Sequence, residues 1–509
     1  MKYLIKLSPE ITIKSKPVRK RAIMMLKNNI KKHFYYNDIT VNISWNWDVI
    51  NLEHNKKIEN SQQEIALNIQ IVNILKKIAW IAHFMEVVTF SLEDCISQDE
   101  IFDTIFQKTK EIHLKTIKWK SFVVRIRRTG LHAFTSTDIE RYVWGGLLKF
   151  WENTSVNLHN PDITIRFEIR NNIFHVIKKS IKWVDGYPIG FQDKVVSLIS
   201  GGFDSGVATY SMMKRGCQVD YLFFNLWGSA HELWVKQVSH YLWKNFSIPH
   251  KKARFITVNF EGVIEQLLTK VNHKFRWILL KRFMLKVASM VAENNYYALV
   301  KWDSLGQVSS QTLKNMHVID KASDCLVLRP LIADNKQEII DISRKIWTYH
   351  FACNMPEYCG VISDKPSTWA KLEDILFEEK NIEDSVLTDA YMNRKIEKVA
   401  EMLEKDFEQK SEIETVYEIA ENEVLIDIRE ENSQSTSIKG VNLAQKDILK
   451  IPFHKINSDF PKLDQNKIYL FYCDKWVLSE LHWLYLKENW FENIKIYRND
   501  KPKISVCEK

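Results

Sequence analysis

Residues 195–210 read VVSLISGGFDSGVATY. A run of strand-forming apolar residues stops at Ser200-Gly201-Gly202-Phe203-Asp204-Ser205 and restarts as a helix. Glycines at a strand-to-helix junction let a large anion come close to the backbone, with no Cβ in the way. Successive N–H groups in such a turn form a nest, and the helix N-terminus adds the positive end of its dipole. Ser200 and Ser205 add hydroxyl donors. Asp204 is out of place beside a phosphate unless it holds a metal or a substrate group. The string lacks the G-x-x-x-x-G-K-[ST] pattern of kinases and GTPases. It reads as a pyrophosphate cradle with Mg²⁺ nearby; the plain alternative is an ordinary strand–helix turn.

The surroundings of this stretch repeat strand and helix. VDYLFFNL, RFITVNF, YYALV and LVLRPL are strand candidates with helical sequence between them, and Lys214-Arg215-Gly216 makes a helix stop. Repeated βα units imply a parallel sheet with covering helices. Toward the N-terminus, KYLIKL and ITVNISW flank a basic helical stretch. SFVVRIRR and ITIRFEIRNNIFHVIKKS then read as strands, and STDIERYVWGGLLKFW as a helix. Toward the C-terminus, Glu-rich helical sequence runs to about 420 and gives way to β-α-β character. The whole is a multidomain α/β and α+β chain.

Composition narrows the class. The 509 residues suggest three or four domains, at ~150 residues each. No apolar run approaches the ~20 residues of a membrane span, and MKYLIKLSPEITIKSK lacks a secretory h-region. A cytoplasmic protein is expected. Seven cysteines, spread out and without a paired CxxC, argue against a disulfide scaffold and a zinc site. Net charge is +9, concentrated at the front in KSKPVRKR (14–21) and VRIRRTGLH (124–132). Lys14, Lys16, Arg19, Arg21, Arg125, Arg127 and Arg128 are candidates for RNA phosphate contacts. Alternation puts Arg125 and Arg127 on one sheet face.

SGGFDS resembles the PP-loop motif of ATP pyrophosphatases, which adenylate a carbonyl oxygen and release pyrophosphate. KLSPEITIKSK, HAFTSTDIERYV, LGQVSSQTLKN (305–315), LRPLIADNKQEII (328–340) and MPEYCGVIS (355–363) extend the match over essentially the whole chain. Together they resemble the tRNA uracil-4 sulfurtransferases, or 4-thiouridine synthetases of ThiI type, with a C-terminal rhodanese-like domain.

That resemblance implies a ferredoxin-like N-terminal domain (1–60), a THUMP RNA-binding domain (63–180), a PP-loop domain (181–395) and a rhodanese-like domain (419–509). It implies ATP and Mg²⁺ as cofactors, tRNA as partner, and a cysteine desulfurase as sulfur donor. A thiamine sulfur-carrier protein and a homodimer are compatible with it. The reaction would activate O4 of uridine 8 as an adenylate, and a persulfide would then displace AMP. Ser200 to Ser205 with Gly306 and Gln307 would bind the nucleotide, and Asp204 would organise it. Lys336 would meet phosphate, although it also fits a solvent-facing first-turn lysine. Cys473, at the strand end IYLFYC before a helix near Ser479, would carry the persulfide. A thiolate there gains from backbone N–H groups and the helix dipole. Cys359 would resolve the exchange through a Cys359–Cys473 disulfide.

The chain departs from the family in one respect. It has 14 Gly and 17 Trp, and Trp144, Trp227, Trp234, Trp302, Trp347, Trp476 and Trp490 stand where the family has Gly. Where such a Gly has φ > 0, Trp is expected to cost roughly 1–3 kcal/mol. Trp302, beside the nucleotide, and Trp476, in the Cys-x-x-Gly-x-x-Ser loop pattern, motivate a second reading: a tRNA-binding protein with an impaired catalytic centre.

Overall fold

The structure is a computed structural model. It describes residues 1–46, 49–54, 60–78, 81–182, 186–226, 229–293, 295–353, 366–402, 414–420, 422–429, 448–451, 455–456, 459–473, 479, 482–483, 486–487 and 491–498. The chain divides into two compact units, Met1–Phe191 with Lys214–Gly216, and Gln192–Met213 with Cys217–Lys509.

In the first unit the order is β1 (Lys2–Leu7), α1 (Pro9–Thr12), α2 (Lys16–Tyr36), β2 (Asn42–Asn46), β3 (Val49–Glu53), α3 (Ser61–Leu75), β4 (Ile81–Ser91), α4 (Gln98–His113), β5 (Ser121–Thr129), α5 (Ser136–Leu148), β6 (Ser155–Val156), β7 (Ile163–Arg170) and β8 (Ile173–Lys182). One eight-stranded sheet, ordered β2-β3-β1-β4-β8-β7-β5-β6, runs through residues that the sequence reads as two units. Strand β4 joins them by pairing antiparallel with β1 on one side and β8 on the other. Two cores lie against this sheet. Tyr3, Ile5, Ile50 and Leu52 pack with Leu26, Ile30 and Phe34 of α2. Phe122, Val124, Ile165 and Phe167 pack with Ile139 and Val143 of α5. Strand side chains alternate between faces, so Lys6, Arg125, Arg127, Arg166 and Glu168 lie on the face turned away from these helices.

In the second unit, β9 (Lys194–Leu198), α6 (Phe203–Lys214), β10 (Gln218–Asn225), α7 (Ser229–Leu242), β11 (Arg254–Asn259), α8 (Glu261–Lys270), α9 (Arg276–Ala292), β12 (Ala298–Val300), α10 (Leu313–Asp320), β13 (Val327–Leu328), α11 (Lys336–Lys345), α12 (Tyr349–Cys353), α13 (Leu372–Glu379), α14 (Asp384–Met392) and β14 (Lys395–Lys398) build the second sheet and its helices. The sheet order is β13-β12-β9-β10-β11-β14. Every pairing is parallel except that of β14 with β11. Strands buried on both faces read as continuous apolar runs, as in β9 and β10. The LVLRPL reading shrinks to Val327–Leu328, because Pro330 has no N–H to donate. The Glu-rich stretch read as helix to about 420 contains β14 instead, a charged edge strand, KIEK, whose side chains remain largely in water.

The third sheet is wholly parallel: β15 (Thr415–Val416), β16 (Glu423–Asp427), β17 (Ile448–Lys450), β18 (Ile468–Tyr472) and β19 (Ile494–Tyr497), in the order β15-β19-β18-β16-β17.

Candidate active site

The six-stranded sheet reverses its winding between β9 and β12. From β9 the chain steps outward to β10 and β11, then returns to place β12 and β13 on the other side. Ligands of open parallel sheets bind at the carboxyl ends of strands beside such a reversal. The two loops that part there are Ser200–Gly202, after β9, and the segment from Lys301 to Val308, after β12.

The first loop is folded by its own serine. Ser205 Oγ accepts from Ser200 N and from Ser200 Oγ, both at 3.2 Å, and donates to the Gly202 carbonyl at 3.2 Å. Gly201 has φ +85°, which an L side chain rarely adopts. Gly202 is different: a Cβ there would meet only Ser200 Oγ, at 3.8 Å. The protein's own packing therefore does not demand a glycine at 202. Among the described residues nothing accepts from the N–H of Gly201 or Gly202, although Gly201 is buried. A buried N–H is rarely left without an acceptor, so this turn has donors to offer a ligand.

The side chains around this turn come from three segments. Lys336 Nζ donates to Asp204 Oδ1 at 2.8 Å, and Gln307 Nε2 donates to Asp204 Oδ2 at 3.0 Å. Lys336 opens α11, whose N-terminus carries a capping box of Asn335 and Glu338. A cation in a first turn opposes the helix dipole, so helix stability does not account for Lys336. Its ammonium also lies 5.5 Å from the centre of the Phe203 ring. Gly306 has φ +78° and no neighbour within 4 Å of a would-be Cβ. It turns the loop so that Gln307 reaches Asp204.

The start of the second loop belongs to a buried charge cluster that the sequence reading missed. Asp303 meets Lys281 at 3.2 Å, Lys301 at 3.0 Å and Arg329 at 3.1 Å, and Arg329 also pairs with Asp320. Burial alone would raise the Asp303 carboxyl, but the three cations outweigh it and hold it far below the usual range. Burial pushes the Lys301 ammonium down, with Asp303 opposing. Trp302, between them, is half-buried against the sheet's core.

Cys473 follows β18, the middle strand of the third sheet, and is 3% exposed. Ser479 Oγ donates to its sulfur at 3.2 Å. Asp427, at the end of β16, stands in register with Tyr472. Its carboxylate takes both arms of Arg429, at 3.0 and 2.9 Å. This fork keeps a buried pair at the same sheet end as the sulfur. Nothing in the spacing marked Asp427 and Arg429; the cue was a charged pair closing the apolar run EVLIDIR. Cys359 and Trp476 lie outside the described residues, and so do Trp227 and Trp490.

On the face of the eight-stranded sheet turned away from α2 and α5 is a cavity of about 370 Å³, lined by His83, Arg125, Arg127, Arg166, Glu168 and Lys182 among others. Parallel register sets Arg125 beside Arg166. Arg125 donates to the Leu158 carbonyl at 3.1 Å. Glu168 is already taken by Lys6 at 2.9 Å and Arg170 at 3.1 Å. Among the described residues Arg127, Arg166 and Lys182 make no ion pair. His83 reports the field: burial, then Lys6, Arg127 and Lys182, hold its imidazole below the ordinary value against the pull of Glu168. Arg166 and Lys182 were missed in the sequence, although the alternation in ITIRFEIR carried the signal for Arg166. Arg128 turns the other way, to Ser136 Oγ at 3.1 Å and the Phe134 carbonyl. Lys14, Lys16 and Arg21 are exposed around the start of α2, whose first turn has no acidic residue, and Arg19 reaches the Thr12 carbonyl at 3.4 Å.

A family model described as thiamine biosynthesis protein (ThiI) matches residues 190–384, a THUMP domain model matches 99–177, and a rhodanese-like domain model matches 412–504. A tRNA sulfurtransferase of Yersinia pestis (strain Pestoides F) is 44% identical over 502 residues, covering 98% of this chain and 100% of the relative. The chain belongs to the tRNA sulfurtransferase family. A relative of the same name from Yersinia pseudotuberculosis serotype O:1b (strain IP 31758) matches equally. Among solved structures, a 4-thiouridine synthetase–RNA complex with bound ATP has a TM-score of 0.64 at 24% identity, covering 78% of this chain and 98% of that one.

Proposed function

We propose that this chain is an ATP-dependent tRNA sulfurtransferase that forms 4-thiouridine at position 8. The observation that carries the reading is the pair of unclaimed N–H groups at Gly201 and Gly202, set at a sheet reversal and flanked by Lys336 and Asp204. A uracil carbonyl oxygen is a poor leaving group. Attack of O4 on the α-phosphorus of ATP breaks the bond to pyrophosphate and leaves O4 as an adenylate. The outer sulfur of a Cys473 persulfide then bonds to C4, and AMP departs with the oxygen. Cys359 takes the inner sulfur, closing a Cys359–Cys473 disulfide that an external thiol reduces. A cysteine desulfurase reloads Cys473.

Ser200–Ser205, with Gly306 and Gln307, hold the nucleotide; Asp204 and Lys336 orient it. Among the described residues no cluster of three His, Cys, Asp or Glu side chains forms a metal cage. Mg²⁺ would accordingly arrive with ATP, taking its ligands chiefly from phosphate and water, with Asp204 the carboxylate at hand. Arg125, Arg127 and Arg166 grip tRNA phosphates at the cavity they line, with the cations around the start of α2 adding to the field. The description of the matched family model favours a second outlet for the persulfide, a carrier protein serving thiamine thiazole formation. Among the described residues no helix is long and apolar enough to cross a membrane.

The deciding experiment supplies tRNA transcript, ATP, Mg²⁺, cysteine and a desulfurase, and reads the absorbance of the thiolated base. Normal tRNA affinity without ATP-dependent thiolation would instead favour the impaired-centre reading that Trp302 motivates.

A further inference from the structure

Behind the nucleotide loop, α7 carries a histidine for which the chemistry above has no use. His231 is 5% exposed. Its Nε2 lies 3.2 Å from the carbonyl oxygen of Ser200, and its ring meets Phe223 edge-on at 4.9 Å and 87°. A carbonyl only accepts, so Nε2 carries the proton. Burial pushes the imidazole pKa down to about 4, partly opposed by this bond, so the ring is neutral at pH 7.

Ser200 is therefore held at both ends: its N–H goes to Ser205 Oγ and its carbonyl to His231. The peptide that links Ser200 to Gly201 is planar and trans, and its C=O and N–H point in opposite directions. Fixing the oxygen toward α7 sends the Gly201 N–H to the opposite side, where no described residue accepts it. Gly201 has no side chain to limit its peptide, so without a clamp this plane is among the easiest in the loop to flip.

We propose that His231 is a positioning residue for the phosphate cradle: its Nε2–H clamps the Ser200 carbonyl and thereby aims the Gly201 N–H at a phosphate of the bound nucleotide. This rests on the nucleotide reading of the loop. The test titrates the full-length chain with ATP and Mg²⁺ without RNA, alongside tRNA affinity and melting temperature. His231→Phe keeps a ring against Phe223 and loses the donor; it should weaken ATP binding about tenfold and leave tRNA affinity unchanged. His231→Gln places an amide N–H at the reach of Nε2 and should recover most of the loss. His231→Asn is one methylene shorter and should not. A folded His231→Phe protein with unaltered ATP affinity would overturn the proposal, and so would a Gln variant no better than Asn. If His231→Phe fails to fold, the contrast between Gln and Asn decides alone. A wild-type chain that binds no ATP would bring down the nucleotide reading and this one with it, a pattern distinct from wild-type binding with indifferent variants.

Discussion

The loop proposed to hold the nucleotide and the cysteine proposed to carry sulfur both follow the carboxyl ends of central parallel strands, β9 and β18. They differ in what they hold back. The β9 loop leaves backbone donors unclaimed and spends side chains, Ser205 and His231, on shaping itself. After β18, Cys473 is buried, and a side chain, Ser479, donates directly to its sulfur. A loop that must receive an anion presents N–H groups.

The largest expected effect tests whether the two sites do separate work. Cys473→Ser should abolish thiolation with desulfurase-supplied sulfur, a loss of at least about 10²–10³-fold, as for removal of a covalent nucleophile. ATP affinity should be unchanged. Equal loss of ATP binding would merge the sites and break the comparison. A smaller effect sharpens it. Ser479→Ala removes a donor to the sulfur, and a hydrogen bond to a charged group contributes roughly 1.5–3 kcal/mol. The rate of Cys473 alkylation at fixed pH should fall roughly tenfold or more, since each ~1.4 kcal/mol is a factor of ten. An unmoved rate would mean that the Ser479 contact only packs the helix.

The basic face supplies a third contrast, since it holds no reacting atom. Arg127→Ala and Arg166→Ala should each weaken tRNA binding several-fold, uniformly across tRNA sequences, and lower the salt slope by about one. Arg128→Ala should instead loosen α5, because that guanidinium is tied to Ser136 and the Phe134 carbonyl. A salt slope that changes only in Arg128→Ala would reverse the assignment.

What could be read from sequence divides along the same physical line. The β9 loop was legible because strand, turn and helix follow in one continuous run, so Ser200 to Ser205 announced themselves. Arg125 and Arg127 sharing a face followed from period two alone. The long-range partners were not legible. His231, Asp303 and Arg166 acquire their meaning from which strands lie side by side, and neither the reversal between β9 and β12 nor the register of β5 with β7 is written in any local pattern. The edge strand β14 was missed because its KIEK sequence carries the charge of an exposed helix.

The tryptophans set the smallest effects and the sharpest sign. The sequence treats Trp302 and Trp347 alike, as residues standing at family glycines. The backbone separates them. Trp347 has φ +63° and is 67% exposed, and Trp119, with φ +61° and 69% exposure, is a second case. Trp144, Trp234 and Trp302 have no positive φ. A bulky residue in the left-handed region costs about 1–3 kcal/mol, and an indole two-thirds in water regains little by packing. Glycine gives back part of the gain through the freedom of the unfolded chain, ~0.5–1 kcal/mol. Trp347→Gly should accordingly stabilise by about 1 kcal/mol, measured as a rise in denaturant midpoint at constant slope. Trp302→Gly should do the reverse, by ~2 kcal/mol, because it empties space against the sheet's core. If both substitutions stabilise, Trp302 is strained as well and the segment after β12 is under load. If both destabilise, the left-handed backbone at Trp347 is relieved by contacts of the indole, and the division between the two tryptophans fails.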